Sequence, residues 1–290
     1  MAMTSSRTGV IDTEFLVQEL DALPAQQAIA LRALHVSGDP RSSAADLAGA
    51  LMADPAMTAQ IIKLANSAYY GLSGRVSGVP FAVTVIGFVS VRSVVAAFAA
   101  GALGNDAVVP TGFWERAASG ASASSLVAGR VDAPRPDAFS MGLLHELGDF
   151  LLFRASQEGH AEVHAHAQHW DCRRRSRIER ELYGLDHGQL LARSLAAWMF
   201  PDEYVRAVEV HAEVNRGGPS LARAIVAGQA VGTLALRPDD ERRWIGDLLD
   251  KLSSRLEIGA VEPAQAWALS RQARQDAAQL IGGFAVESAA

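Results

Sequence analysis

The chain has 290 residues, a formal net charge of −6 and a single cysteine. A chain of this length buries a core that needs no staples, and Cys172 alone excludes an intrachain disulfide or a cysteine-based zinc site, which predicts a reducing, cytoplasmic setting. The acidic balance lacks the basic footprint of a nucleic-acid binder, and the start, MAMTSSRTGVIDTEF, has no apolar run of signal-peptide length.

Apolar residues recur with helical spacing nearly throughout, and no alternating run is bounded by hairpin turns, so the predicted fold class is all-α. Residues 1–14 are read as a flexible N-terminus. Ser43 to Asp46, Ser176 to Glu179 and Asp186 to Gln189 have the spacing of capping boxes, and each predicts a helix onset nearby. Asp54 before Pro55 places a capping carboxylate ahead of a first-turn proline, and that helix is predicted to run to about Ala68. Gly71–Gly78 reads as a loop by its three glycines and two serines. Phe81–Leu103 is long enough to span a bilayer, but Arg92 lies at its centre, Gly87 and Ser90 interrupt it, and Pro80 precedes it. Two buried helices and no membrane contact are predicted instead.

Further along, Gly104–Thr111 is a second loop and the expected domain boundary. The prolines of Asp132–Pro136 should end one helix before Phe139 opens the next. Asn215–Pro219 marks another break, after which the tail to Ala290 reads as two or three further helices. No fixed-period repeat is present.

Histidines cluster in HAEVHAHAQH, where His160 and His164 share a helical face, as do His166 and His169, so either pair would supply half a zinc site. Because the intervening residues are small and polar, a solvated helix face is the favoured reading. Cys172 precedes Arg173, Arg174, Arg175 and Arg177, which would lower a thiol pKa or contact phosphates; a solvated helix or turn with local ion pairs is again favoured. A third motif, GLLHELGD at Gly142–Asp149, sets a histidine beside a glutamate in an apolar helix. No phosphate loop, nucleophile elbow or dinucleotide fingerprint is present.

Several strings occur together in one order: Leu23-Pro24, DPAMTAQIIKLANSAYYG from Asp54, RVSGVPFAVTVIGFVSVRSVV from Arg75, FWERA at Phe113, GLLHELGD, ELYGLDHGQLLARSLAAWMFP from Glu181, and AVEVH ending at His211. Together they resemble the HDOD family over about residues 15–212. The resemblance implies an HD-domain-like multi-helix bundle in two lobes, at about 15–104 and 113–212, with 213–290 completing the second. HDOD domains look like divergent relatives of HD phosphohydrolases, whose metal is held by a His, an adjacent His-Asp pair and a distant Asp. Here those positions hold Arg116, His145-Glu146 and Gln229, so the ligand set is degenerate. His187 and His211 match further family histidines and are candidates for a pocket in the same cavity.

The resemblance implies a non-catalytic bacterial signalling protein that acts through contacts with other proteins, linked to cyclic-di-GMP or two-component pathways. Gly71–Gly78 and the arginine run are exposed candidates for the contact surface. The partners are unidentified signalling proteins, and no cofactor is expected. The alternative is a metal-dependent phosphohydrolase, with a divalent ion among His145, Glu146, His187 and His211. A third reading, nucleic-acid binding through Arg173–Arg180, is the least favoured.

Overall fold

The computed structural model describes residues 25–39, 41–72, 74–103, 108–169, 171–215, 217–237, 252–256, 258–259 and 261–284. The expected flexible N-terminus, the proposed domain start at residue 15, Leu23-Pro24 and residues 104–107 of the boundary loop lie outside them. Among the described residues the chain is helical without a strand, in the order α1 (Ala25–Gly38), α2 (Ala44–Leu51), α3 (Pro55–Ala65), α4 (Val79–Ile86), α5 (Phe88–Ala99), α6 (Phe113–Val127), α7 (Arg135–Ala155), α8 (Gln157–His166), α9 (Cys172–Tyr183), α10 (His187–Ala197), α11 (Asp202–Val210), α12 (Ser220–Ala235) and α13 (Pro263–Phe284).

Local chemistry fixes several of these boundaries. The Ser43–Asp46 and Asp186–Gln189 pairs form reciprocal capping boxes on α2 and α10, and the Asp54 carboxylate accepts from the backbone N–H of Ala56 and Met57 at the start of α3. Each supplies acceptors to N–H groups that an isolated helix end leaves unmatched. The helix that begins at Pro55 stops at Ala65, short of Ala68. Asn66 ends it by turning its side-chain amide onto Val76, accepting from Val76 N–H at 2.9 Å and donating to Val76 O at 2.6 Å. That two-sided clamp pins the base of the Gly71–Gly78 loop.

Two predicted onsets move. Ser176 and Glu179 sit inside α9, whose cap is Asp171, accepting from Arg174 N–H. The helix expected from Phe139 opens at Arg135, because Pro136 occupies the first turn, where a missing N–H costs nothing.

Phe81–Leu103 becomes α4 and α5, bent by 109° at Gly87, whose φ of +86° suits a residue without a side chain. No single described helix is long and apolar enough to cross a membrane, although this bent pair passes on length and composition together. Arg92 is buried in α5 and donates to the carbonyls of Trp198 and Met199, with its guanidinium 4.1 Å above the Phe200 ring. A buried cation thus finds carbonyl and aromatic partners, which offset its desolvation.

α1 packs on α2 and α5, α4 on α2 and α3, and α5 on α7. Helices α6, α7 and α12 pack closely on one another, and α13 lies against α6, α12 and α3. The α6–α7–α12 seam is made of small residues. A Cβ on Gly142 would stand 2.7 Å from the Gly120 carbonyl oxygen, and one on Gly228 would stand 2.0 Å from Ser124 Oγ. Side chains at either place would push the helices apart, so the backbones approach only because these positions are glycine.

Candidate functional site

The middle of α7 carries His145, Glu146 and Asp149, and the surrounding helices deliver their partners. His187 opens α10 directly after the Asp186 cap, and His211 begins the short 3-10 turn His211–Glu213 that follows α11. Gly148 lets α10 reach α7, since a Cβ there would lie 2.4 Å from the His187 carbonyl oxygen.

The result is a meeting of three buried imidazoles. The Nε2 atoms of His145, His187 and His211 lie 3.0 Å (145–211), 3.2 Å (145–187) and 2.9 Å (187–211) apart, and all three residues are 0% exposed. Each Nδ1 faces outward to its own partner. His187 Nδ1 meets the Glu179 carboxylate at 2.5 Å, His211 Nδ1 donates to the Val208 carbonyl at 2.6 Å, and His145 Nδ1 meets the Gln229 side-chain amide at 2.7 Å.

These partners decide the tautomers. A carbonyl and a carboxylate only accept, so His187 and His211 carry their protons on Nδ1 and point bare Nε2 lone pairs at each other. Burial, with the charges of Arg175 and the neighbouring histidines, holds both well below the ordinary histidine pKa. His145 supplies one Nε2 proton to the cluster when Gln229 donates to its Nδ1. The 187–211 contact shares no proton, and a cation coordinated by these two Nε2 atoms would relieve it, with His145 able to join only after losing its Nε2 proton.

The four positions that the resemblance assigns to an HD metal behave differently. Arg116, on α6, gives its Nε–H to Glu146 Oε2 at 3.1 Å and its Nη1–H to the Thr111 carbonyl at 2.8 Å. Burial works to raise the Glu146 pKa, but nearby His145 and the Arg116 charge outweigh it and keep the carboxyl ionised. Gln229 bonds to His145 and accepts from the Cys172 thiol at 2.8 Å. A guanidinium in place of one ligand and an amide in place of another do not fit the HD metal. The ion pair fills the position instead, and the adjoining cavity, lined by Arg116, Glu146, His169 and Gln229, is about 20 Å³, room for about one water molecule. Glu146, expected among alternative ligands with the three histidines, belongs to this ion pair, 3.8 Å from His145 Nδ1.

A second constellation adjoins the first. Asp149, one turn beyond His145, accepts from His160 at 3.1 Å and His164 at 3.0 Å. Burial tends to raise its pKa, yet these hydrogen bonds and the Arg175 charge hold it well below the carboxylate range. The favoured reading of a solvated histidine face is therefore corrected. His160, His164 and His169 turn inward, and of the four only His166 is exposed. His166 and His169 do not form a pair, because α8 ends at His166 and His169 bonds through Nδ1 to Arg175 at 3.1 Å.

The arginine run divides in the same way. Arg173, Arg174 and Arg177 are exposed, whereas Arg175 is wholly buried, 3.3 Å from Glu179 and within reach of Asp149. Its burial follows from position: on α9, residues 172, 175, 176 and 179 share the inward face. Cys172 is buried too, and burial pushes its thiol up to about 11 against the pull of Arg175, which speaks against the less favoured reading of an activated thiol.

Sequence reasoning grouped His145, His187 and His211 and named His160 and His164 as half a zinc site while favouring a solvated face, but it missed Asp149 as their partner and the burial of Arg175. The signal for Asp149 was its place four residues after His145 on one helix.

No curated protein matched the chain. Among solved structures, it is similar to a candidate phosphohydrolase of Shewanella amazonensis SB2B at 24% identity, covering 91% of this chain and 97% of that one with a TM-score of 0.66. A candidate signal transduction protein of Marinobacter aquaeolei VT8 is similar at 24% identity, with 92% of this chain, 61% of that one and a TM-score of 0.61. An HDOD domain protein of unknown function from Geobacter sulfurreducens is 19% identical, with 94% and 97% covered and a TM-score of 0.61. At these identities the likeness speaks for the fold, and the fold is shared along nearly the whole chain. The HDOD domain family model matches residues 23–214, well over half of the sequence, and the chain belongs to the HDOD domain family.

Proposed function

We propose that the protein is a cytoplasmic bacterial regulator that works through contacts with signalling proteins and does not hydrolyse phosphoesters. The observation that carries this reading is the Arg116–Glu146 ion pair, which places a cation and its own counter-charge where the HD resemblance would need metal ligands. A metal that activates water for attack on a phosphate needs open coordination positions and room for the ester, and a cavity of about 20 Å³ offers neither. A link to cyclic-di-GMP or two-component signalling is part of the proposal, as is the absence of nucleic-acid and membrane partners. The likeness to a signal transduction protein supports it at the level of fold.

One observation favours a second reading, a metal-dependent phosphohydrolase: three Nε2 atoms converge, and two of the rings, His187 and His211, donate Nδ1–H to an acceptor as metal-bound histidines usually do. A single assay separates the two. Purified protein is offered cyclic di-GMP and a chromogenic phosphodiester with manganese, iron or magnesium. The expected result is no turnover in wild type or in His145→Ala. Turnover in wild type that His145→Ala abolishes would reject the regulatory reading.

A further inference from the structure

We infer that Asp149, His160 and His164 form a second metal site, one that takes a divalent first-row transition ion from solvent and ties α8 to α7. The site shares no residue with the three-imidazole cluster and does not depend on whether that cluster holds metal.

Two imidazole nitrogens and both oxygens of one carboxylate are already gathered. His160 Nε2 and Asp149 Oδ2 are 3.1 Å apart, His164 Nε2 and Asp149 Oδ1 3.0 Å, and the two Nε2 atoms 3.0 Å. Donors around such an ion at about 2.1 Å stand roughly 3.0 Å apart on an octahedral face and roughly 3.4 Å apart in a tetrahedron. The spacing between neighbouring donors is close to the octahedral value, with each imidazole facing its own carboxylate oxygen, and an octahedral ion there keeps further positions for water or an outside ligand. Two imidazoles and one carboxylate select zinc, nickel, cobalt or ferrous iron over magnesium or calcium, which prefer all-oxygen sets.

The surroundings also provide rigidity and access. Asp149 is held in the interior of α7 at 1% side-chain exposure, so its carboxylate is fixed before any ion arrives. His160 and His164 lie one turn apart on α8, at 12% and 18% exposure, and form the open side of the site. Ser156 sets the direction of α8 by accepting from Gly159 N–H.

Charge favours a cation as well. Around this part of α7 three carboxylates, Glu146, Asp149 and Glu179, are buried with two guanidinium groups, Arg116 and Arg175. Arg116 pairs with Glu146 and reaches Asp149 Oδ2 only at 3.7 Å, and Arg175 stands beside Glu179. Asp149, buried beside the two imidazoles, is kept ionised by their hydrogen bonds and by the Arg175 charge. The ligand set therefore carries one negative charge, and an ion bound between its donors would stand closer to that charge than the Arg116 guanidinium does.

The test uses full-length protein made without a histidine tag and stripped with EDTA, titrated with Co²⁺ and followed by visible absorption and by thermal midpoint. Wild type should bind Co²⁺ saturably, with a midpoint that rises with its concentration. The double variant His160→Ala/His164→Ala should bind at least tenfold more weakly at this site, while His187→Ala keeps it. His160→Gln retains a side-chain N–H for Asp149 and ligates poorly, so it should fold with the wild-type midpoint in EDTA yet show a reduced midpoint rise with Co²⁺. The proposal is overturned if wild type takes up no Co²⁺, if the double variant binds as wild type does, or if His160→Gln keeps the full Co²⁺ response.

Discussion

Arg175 is the side chain on which the buried charge of α7 and α9 turns. It is 0% exposed, stands 3.3 Å from Glu179 and bonds to His169, and its charge acts on Asp149. Taking one partner out of a buried ionic network leaves the other charges desolvated and unmatched, a loss of about 3–5 kcal/mol. Arg175→Met keeps the length and apolar stem of the side chain, so its effect reports the charge. Urea denaturation should show a stability loss in that range, and a loss below about 1 kcal/mol would mean that the network is solvated. The same reasoning explains why Arg175 was hard to read in the sequence. In the string CRRRSR four arginines look alike, and only the helical phase of α9 against α7 picks out the one that points inward.

At the level of the elements, the α6–α7–α12 seam is the feature that positions His145 and Gln229 opposite each other. Gly228→Ala would set a Cβ 2.0 Å from Ser124 Oγ and 2.6 Å from Ser124 Cα, a clash that only helix movement relieves. Overpacking of this kind typically costs about 1–3 kcal/mol. Gly49, exposed on α2 with nothing within 4 Å of its would-be Cβ, makes the contrasting case. Gly49→Ala should stabilise by roughly 0.5–1 kcal/mol, because alanine loses less backbone freedom on folding into a helix. Chemical denaturation of both variants checks the pair, and a Gly228→Ala protein as stable as wild type would refute the tight seam. Helix starts marked by Ser43, Asp54 and Asp186 were legible from sequence, since a cap is a contact between residues two or three apart. The onset at Arg135 and the cap at Asp171 were misplaced because competing local signals, Phe139 and Ser176, carried similar weight until packing chose between them.

For the whole molecule, the buried histidines should make stability depend on pH below neutrality. His187 and His211 are held well below the ordinary histidine range by burial, so the unfolded chain binds their protons first as pH falls. Their contribution is complete above the unfolded pKa of about 6.5 and is lost progressively on moving down toward the folded values. Glu146 and Asp149, also lowered in the fold, add a second loss that begins only near the unfolded carboxylate range of about 4. In EDTA, the thermal midpoint should therefore drop between pH 7 and pH 5, where the two histidines outweigh the opposite contribution of Glu179 and Asp186, whose pKa values burial raises. A midpoint that is flat or rising over that interval would contradict neutral, buried imidazoles.

The helical class, the family, the helix starts at Ser43, Asp54 and Asp186 and the division of Phe81–Leu103 into two helices were legible in the sequence alone. These follow from local periodicity, from contacts between near neighbours and from motifs in a fixed order. Which side chains meet was settled by packing. It joined His145, His187 and His211 across gaps of 42 and 24 residues, closed Arg116 onto Glu146, and turned a histidine-rich helix inward onto Asp149. Helical periodicity tells which face of a segment is apolar, but polar residues on α7, α8 and α9 are buried by partners from other helices. That pairing is set by how the helices cross, which no single segment encodes.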